Sequence, residues 1–197
     1  MVEDRRDKIL LKALELYMVE GYANVSITDL QSALDMGRGT LYYYFKDKDD
    51  LFQEVVDTFL IRPKQRALER VKETANIAEM IDAMLYYLKQ LQEFYNMVEN
   101  KNINTSNVVN VMYTAYSRFP ELYKKARKMY ELELSLWTQA IKNSMRAGEI
   151  RGDVSIDTTA HMFLHIKDGW DPGRTGAPMN FEIFPEQYNY LYSLIRK

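Results

Sequence analysis

The sequence predicts an all-α chain of about nine helices, and three observations carry that prediction. Apolar side chains recur every three to four residues through almost all of the 197 residues. The breaks between those runs hold Gly, Pro, Ser, Asn or Asp, the residue types that start and stop helices. No stretch alternates apolar and polar residues as a half-buried strand does, and no repeat or low-complexity tract interrupts the pattern.

Residues 5–20 form the first helix, with Ile9, Ala13, Leu16 and Tyr17 on one stripe and Leu10 and Leu14 widening it. Gly21 stands where a left-handed residue closes a helix, and Tyr22 follows as an anchor. Ser26-Ile27-Thr28-Asp29 opens a second helix: the Ser26 hydroxyl takes an orphan amide, and Asp29 complements the positive helix end. That helix runs from about Ile27 to Leu34 and buries Ile27, Leu30 and Leu34. Asp35 to Gly37 is the turn, and Asp tolerates a left-handed conformation better than most residues.

Gly37 to Leu51 reads GRGTLYYYFKDKDDL, a short aromatic helix, an abrupt stop and a new, capped helix. Leu41 and Phe45 are four apart and face inward, which leaves Arg38, Thr40, Tyr42 and Tyr43 on the outer side. Successive helix residues sit about 100° apart, so three consecutive tyrosines cannot all be buried. Exposed tyrosines beside Arg and Lys suit phosphate and groove contacts. Asp47 and Asp50 have the spacing of a cap and a third helical position, with Lys46 and Lys48 near a helix N-terminus that can receive a phosphate.

From Leu51 the residues Phe52, Val55, Val56, Phe59 and Leu60 continue helically to Pro63, which is expected to kink or break the helix. Beyond it, periodicity predicts a helix over 78–99, a polar turn over 100–107 and a short helix over 108–119 that stops before Pro120. A long helix over 121–147 ends at Gly148, another spans 156–170, a Gly- and Pro-rich loop covers 171–178, and the last helix runs from 185 to 195.

Within Gly37–Leu51, the residues Gly39, Thr40, Leu41, Tyr42, Tyr44, Phe45, Lys46, Lys48, Asp49, Asp50 and Leu51 resemble the DNA-binding region of the TetR family of transcriptional repressors. The order of a small three-helix unit, a linking helix and larger helices is similar to the whole family fold. Departures fall at Gln31 and Leu34, where the family has small residues, at Asp35, where it has glycine, and at Gly37, where it has a hydroxyl cap. The resemblance implies a helix-turn-helix DNA-binding domain over 1–48, a connecting helix over 49–62 and a ligand-binding and dimerisation domain over 63–197. It implies a double-stranded DNA operator contacted by Ser26, Thr28, Arg38, Thr40, Tyr42, Tyr43, Lys46 and Lys48. It also implies a repressor, a small-molecule effector, and a homodimer formed through 156–170 and 185–195.

Composition bounds the alternatives. There is no cysteine, which excludes disulfides and thiolate chemistry. The opening MVEDRRDKILLKAL has no signal-peptide core, and no apolar run nears the roughly 20 residues that span a bilayer, so a cytoplasmic location and no membrane partner are expected. The net charge is −2, and residues 1–62 hold 8 Lys and Arg against 12 Asp and Glu, where a DNA-binding module is expected to be basic. That balance motivates an alternative, a helical ligand-binding or interaction protein with a degenerate DNA-binding module.

Among the aromatic stripes, Tyr87, Phe94, Tyr113, Tyr116, Tyr130, Trp137 and Phe163, with Glu133, have two readings. They are core, the default for such stripes, or a subset lines a cavity for an apolar or aromatic effector. His161 and His165 are four apart, which can seat a metal, but a hydrogen-bonding role at a subunit seam fits them better; no metal and no cofactor are expected. No nucleophile elbow, P-loop, dinucleotide fingerprint or HExxH is present, so the chain is not read as an enzyme.

Overall fold

The computed structural model describes residues 5–37, 39–100, 103–168 and 180–197. Arg38, Trp170 and the loop 171–178 lie outside them. Among the described residues there are ten α-helices: α1 (Arg5–Glu20), α2 (Ile27–Ala33), α3 (Thr40–Tyr44), α4 (Lys48–Val56), α5 (Arg62–Leu68), α6 (Ile77–Met97), α7 (Thr105–Arg118), α8 (Pro120–Arg146), α9 (Ile156–His165) and α10 (Ile183–Ile195). A π-helical segment, Asp57–Ile61, joins α4 to α5 without a break, so residues 48–68 form one continuous rod and the rods number nine.

Pro63 therefore does not break the helix as the sequence predicts. The wider π turn closes on Arg62, whose amide donates to the Asp57 carbonyl five residues back, and the proline enters α5 at its second position.

The chain divides into two compact units. The first takes in residues up to Arg62 together with Phe94–Lys125; the second joins Pro63–Glu93 to 126–168 and 180–197. Both α6 and α8 contribute residues to each unit.

In the first unit α1 buries Ile9, Leu10, Ala13, Leu14, Tyr17 and Met18, and α4 buries Leu51, Phe52, Val55 and Val56. Their aromatic centre is Phe52, whose ring lies 5.0 Å from Tyr17, 4.6 Å from Tyr22 and 5.7 Å from Phe119 at the end of α7. Asn104 and Asn107 form a reciprocal cap on α7, and Asn107 also donates to the Met18 carbonyl at 2.8 Å, which fixes α7 against α1.

The second unit packs α5, α6, α8, α9 and α10 around Leu68, Met80, Met84, Trp137, Ile141, Phe163 and Tyr188. Asn76 and Glu79 box the start of α6, and the Ser144 hydroxyl accepts from the Ile77 amide at 3.1 Å. The Arg151 amide to the Ile195 carbonyl and the Lys197 amide to the Glu149 carbonyl tie the C-terminal residues to the turn after α8. That turn is closed by Gly148 at φ +74°.

Several helix ends differ from the periodicity reading. The α7 helix starts at Thr105 rather than 108, because Asn104 caps it inside the predicted polar turn. Among the described residues α9 ends at His165, five residues short of the predicted end, with turn residues to 168. Ile27 and Leu34, expected in the core, are half-buried; Leu34 is the C-cap of α2, a position at the rim.

Candidate nucleic-acid interface

Each turn of the N-terminal part is held by a bond the sequence encodes. The Ser26 Oγ accepts from the Asp29 amide at 3.1 Å, and the Ser26 amide donates to Asp29 Oδ2 at 2.7 Å. Hydrogen bonds from the Ser26 hydroxyl and then its amide hold the Asp29 carboxyl below its ordinary range. At the other end of α2 the Asp35 amide donates to the Ser32 carbonyl and the Met36 amide to Gln31 at 2.9 Å. This double closure requires a left-handed residue, and Asp35 supplies it at φ +50°.

The short aromatic helix of Gly37–Leu51 is α3, five residues long. The Thr40 amide donates to the Gly37 carbonyl at 3.0 Å in a turn, Gly39 is the N-cap, and five residues are helical before Phe45 turns extended. Two residues anchor it: Leu41 is 1 % exposed and Phe45 2 %, with the Arg6 guanidinium 5.2 Å from the Phe45 ring. Tyr42 and Tyr43 are 56 % and 83 % exposed. Thr40 is half-buried, and Tyr43 meets only the edge of the half-buried Tyr44.

The start of α4 is capped twice over. The Asp47 carboxylate accepts from the Asp50 amide at 2.8 Å, while Asp50 accepts from the Lys46 amide at 3.0 Å. Lys46 is exposed. Lys48 is half-buried with its ammonium 4.2 Å from the centre of the Tyr22 ring, and burial lowers its pKa. Its charge and that of Asp29 interact at longer range.

A cluster that the sequence does not disclose sits behind these turns. The Tyr22 hydroxyl donates to Asp49, and Arg118, from the last turn of α7, lies 3.4 Å from the same carboxylate and 5.1 Å from the Tyr22 ring. Tyr22 is legible as an anchor; Arg118 carries no signal in sequence beyond its place before Phe119-Pro120.

The acidic balance is accounted for locally. Asp29, Asp47 and Asp50 are spent on helix N-termini, where a negative charge is favoured. Glu54 pairs with Arg6, Asp57 with Arg62 and Lys125, Glu15 with Lys12, and Asp49 with Arg118. Ser26, Thr28, Tyr42, Tyr43 and Lys46 remain exposed or half-buried on the first unit.

Residues 9–55 match the family described as bacterial regulatory proteins, tetR family. The chain carries an N-terminal domain of the tetR family. Like its relatives it is a transcriptional regulator with a DNA-binding domain. It is similar to the HTH-type transcriptional regulator YhgD of Bacillus subtilis (strain 168), at 25 % identity over 91 % of this chain and 90 % of that protein. The fold is that of the TetR-family regulator PfmR from Thermus thermophilus, with a TM-score of 0.65 and 19 % identity over 96 % of this chain and 98 % of that one. A TetR-family regulator from Marinobacter aquaeolei superposes with a TM-score of 0.68 at 17 % identity, covering 98 % and 92 % of the two chains.

The effector residues read from the sequence separate. Phe94, Tyr113 and Tyr116 fall in the first unit; Tyr87, Tyr130, Glu133, Trp137 and Phe163 fall in the second. Tyr113 is 74 % exposed, because α7 buries Val108, Val111 and Ala115 and position 113 points away from that stripe. Tyr130, one turn ahead of the buried run Glu133, Trp137, Ile141 and Ser144, is also exposed. Phe94 is core, 4.8 Å from Phe59, and Tyr116 is half-buried against the edge of Tyr123. Tyr87 packs half-buried on the core that contains Trp137 and Phe163.

Glu133, Trp137 and Phe163 converge with three residues that sequence reading does not assign to a site, Lys64, Lys167 and Tyr188. A buried carboxylate in mid-helix signals in sequence that some cation must meet it, but not which one. The rings of His161 and His165 lie 5.9 Å apart and tilted, His161 Nδ1 lies 2.9 Å from the Asp157 carbonyl, and no cluster of three metal-ligating side chains occurs among the described residues. No helix among them is long and apolar enough to cross a membrane.

Proposed function

We propose that the chain is a homodimeric repressor that leaves a palindromic operator when an apolar or aromatic small molecule binds its second unit. The observation that carries this reading is α3, a short helix pinned by Leu41 and Phe45 that offers Tyr42 and Tyr43 to solvent. A helix of this kind is built for contact. Two copies entering successive major grooves would lie roughly 34–36 Å apart. Tyr42 and Lys46 are the phosphate contacts in this reading, with Lys48 supporting the α4 end. Arg38, Thr40 and Tyr43 lie nearest base edges, and Ser26 and Thr28 meet the backbone.

The dimer seam we assign to residues 156–170 and 185–195, the stretches that hold α9 and most of α10. Support comes from Met162, Tyr190 and Leu194, apolar side chains 50 %, 65 % and 52 % exposed on those two helices. Release requires only that the effector prefer a conformation in which the paired α3 helices no longer match the groove spacing.

The test is binding of the purified protein to the DNA directly upstream of its own gene at two salt concentrations, beside Arg38→Ala and Tyr42→Ala. Salt-sensitive affinity lost in both variants, with the dimer intact, is expected. Absence of duplex binding at low salt would favour the degenerate-module alternative.

A further inference from the structure

Three carboxylates crowd the start of α4, and two of them close the turn there. Asp47 accepts from the Asp50 amide at 2.8 Å, and Asp50 accepts from the Lys46 amide at 3.0 Å. Asp49 reaches outward instead. One of its oxygens accepts from the Tyr22 hydroxyl, which ties the turn after α1 to α4, and the other lies 3.4 Å from the Arg118 guanidinium. A negative charge at a helix start is favoured on its own account, yet it repels an incoming phosphate.

The Tyr22 ring held by that carboxylate also carries Lys48. The Lys48 ammonium lies 4.2 Å from the ring centre, and the Arg118 guanidinium 5.1 Å from the same centre. The three charged groups therefore share one electrostatic neighbourhood. Burial lowers the Lys48 pKa, and of these two neighbours Asp49 favours its ammonium while Arg118 opposes it. Asp49 by itself would cancel the charge of Lys48. With Arg118 present, the three groups keep one positive charge in surplus.

The place of Arg118 follows from the residues after it. A residue before proline is pushed out of the helical region, so Pro120 ends α7 at Arg118 and holds Phe119 extended at φ −122°, ψ 91°. Phe119 is anchored 5.7 Å from Phe52 in the aromatic centre, which delivers the preceding side chain to Tyr22. As a staple the pair is weak, because the Arg118 and Asp49 side chains are 53 % and 43 % exposed and exposed ion pairs add little to stability.

We propose that Arg118 is a positioning residue for DNA binding that acts through Asp49: it neutralises the carboxylate that holds Tyr22, and so leaves the charge of Lys48 available to phosphate. The role rests on the DNA contacts proposed above for α3 and the start of α4, and adds to them a residue from α7. Arginine suits it because a planar guanidinium meets a carboxylate and lies against rings at once, here those of Tyr22 and of Phe119 at 5.6 Å.

A double-mutant cycle in DNA binding tests this, with the full chain and duplexes that the wild-type protein selects from a random-sequence pool. Affinities are measured at several salt concentrations, well below the melting temperature of each variant. Arg118→Gln is expected to weaken binding roughly three- to tenfold at low salt, with the gap closing as salt rises, because the interaction lost is between partly exposed charges. Arg118→Lys keeps the charge and should keep most of the affinity. In an Asp49→Asn background there is no carboxylate charge to neutralise, and Arg118→Gln should cost less than about twofold.

An equal loss in both backgrounds would overturn the proposal in favour of a direct phosphate contact by Arg118. Unchanged affinity in both, with a lowered melting temperature, would overturn it in favour of a staple, and so would a loss that salt does not diminish. Failure of the underlying reading looks different: Tyr42→Ala then binds as tightly as wild type, whatever Arg118→Gln does. Selection of no duplex by the wild-type protein would overturn both.

Discussion

Replacing Tyr22 by Phe removes one hydroxyl and keeps a ring that packs 4.6 Å from Phe52 and 5.9 Å from Tyr17. What is lost is the bond to Asp49, which also faces Arg118 at 3.4 Å. A hydrogen bond to a charged group contributes about 1.5–3 kcal/mol. Asp49 is partly exposed and keeps its guanidinium neighbour, so the contribution is discounted to about 1–2 kcal/mol. With a urea slope of about 2 kcal/mol/M this lowers the unfolding midpoint by about 0.5–1 M. Because Asp49 stands in the first turn of α4 beside Lys48, operator affinity should also fall, by up to roughly tenfold.

The pH dependence gives a second, independent signature of the same hydroxyl. Burial, then the bond to Asp49, raise the Tyr22 pKa from 10.0 to about 12 in the folded chain. A raised folded value means that the stabilisation is fully present below the unfolded pKa near 10 and is lost as pH climbs through the folded one. The gap between wild type and Tyr22→Phe should therefore be constant from neutral pH to about 9 and shrink above 10. Urea titrations followed by circular dichroism at pH 7.5, 9 and 11 measure it. An unchanged midpoint at neutral pH, or a gap that persists undiminished at pH 11, would refute the reasoning.

Three other outcomes are expected. Asp35→Ala puts a Cβ with no compensating local bond into a left-handed position and should destabilise by about 1 kcal/mol, read by thermal melting, whereas Asp35→Gly should be close to neutral. Ser26→Ala deletes the α2 cap at a cost of about 1 kcal/mol, and because the Asp29 pKa is depressed, the cap's contribution in wild type is present above the ordinary carboxylate pKa and fades as pH falls through the folded value; acid titrations of both proteins compare it. Leu194→Arg on α10 should shift sedimentation from dimer towards monomer without loss of helix content, and an unchanged sedimentation coefficient would move the seam elsewhere.

Helix identity is legible in the sequence because periodicity and caps are local. Ser26 with Asp29, Asp47 with Asp50, Gly21 and Gly148 each announce a terminus within a few residues, and Leu41 with Phe45 announces which side of α3 is buried. The start of α7 is not, because Asn104 and Asn107 read equally well as turn residues. The exposed tyrosines of α3 are legible for the same local reason, a run of three that one helix face cannot hold.

The partners of buried charge are not legible. Lys64 and Lys167 are more than 100 residues apart in sequence, and only the packing of α5 against α8 and α9 brings them to Glu133. Arg118 likewise reaches Asp49 across 69 positions. The exposure of Tyr113 is not legible either, because the aromatic residues crowded into α7 cannot be ranked until its neighbours are in place.

The π segment reconciles two hydrophobic patterns within the rod from 48 to 68. In α4 the buried positions are Leu51, Phe52, Val55 and Val56; carried forward at 3.6 residues per turn, that rhythm passes the half-buried Phe59 and Leu60 and then falls on Arg62 with Pro63 and Arg66 with Ala67, of which both arginines are exposed. The buried pair in α5 is instead Ala67 and Leu68, one residue later. The wide turn absorbs the extra residue and resets the phase. Deleting one residue from 57–61 would thus leave a plain α-helix with both halves in phase, whereas tightening the turn with every residue kept would swing α5 about 100° off its pattern, so the rod carries one residue more than α geometry needs and hides it in a single turn.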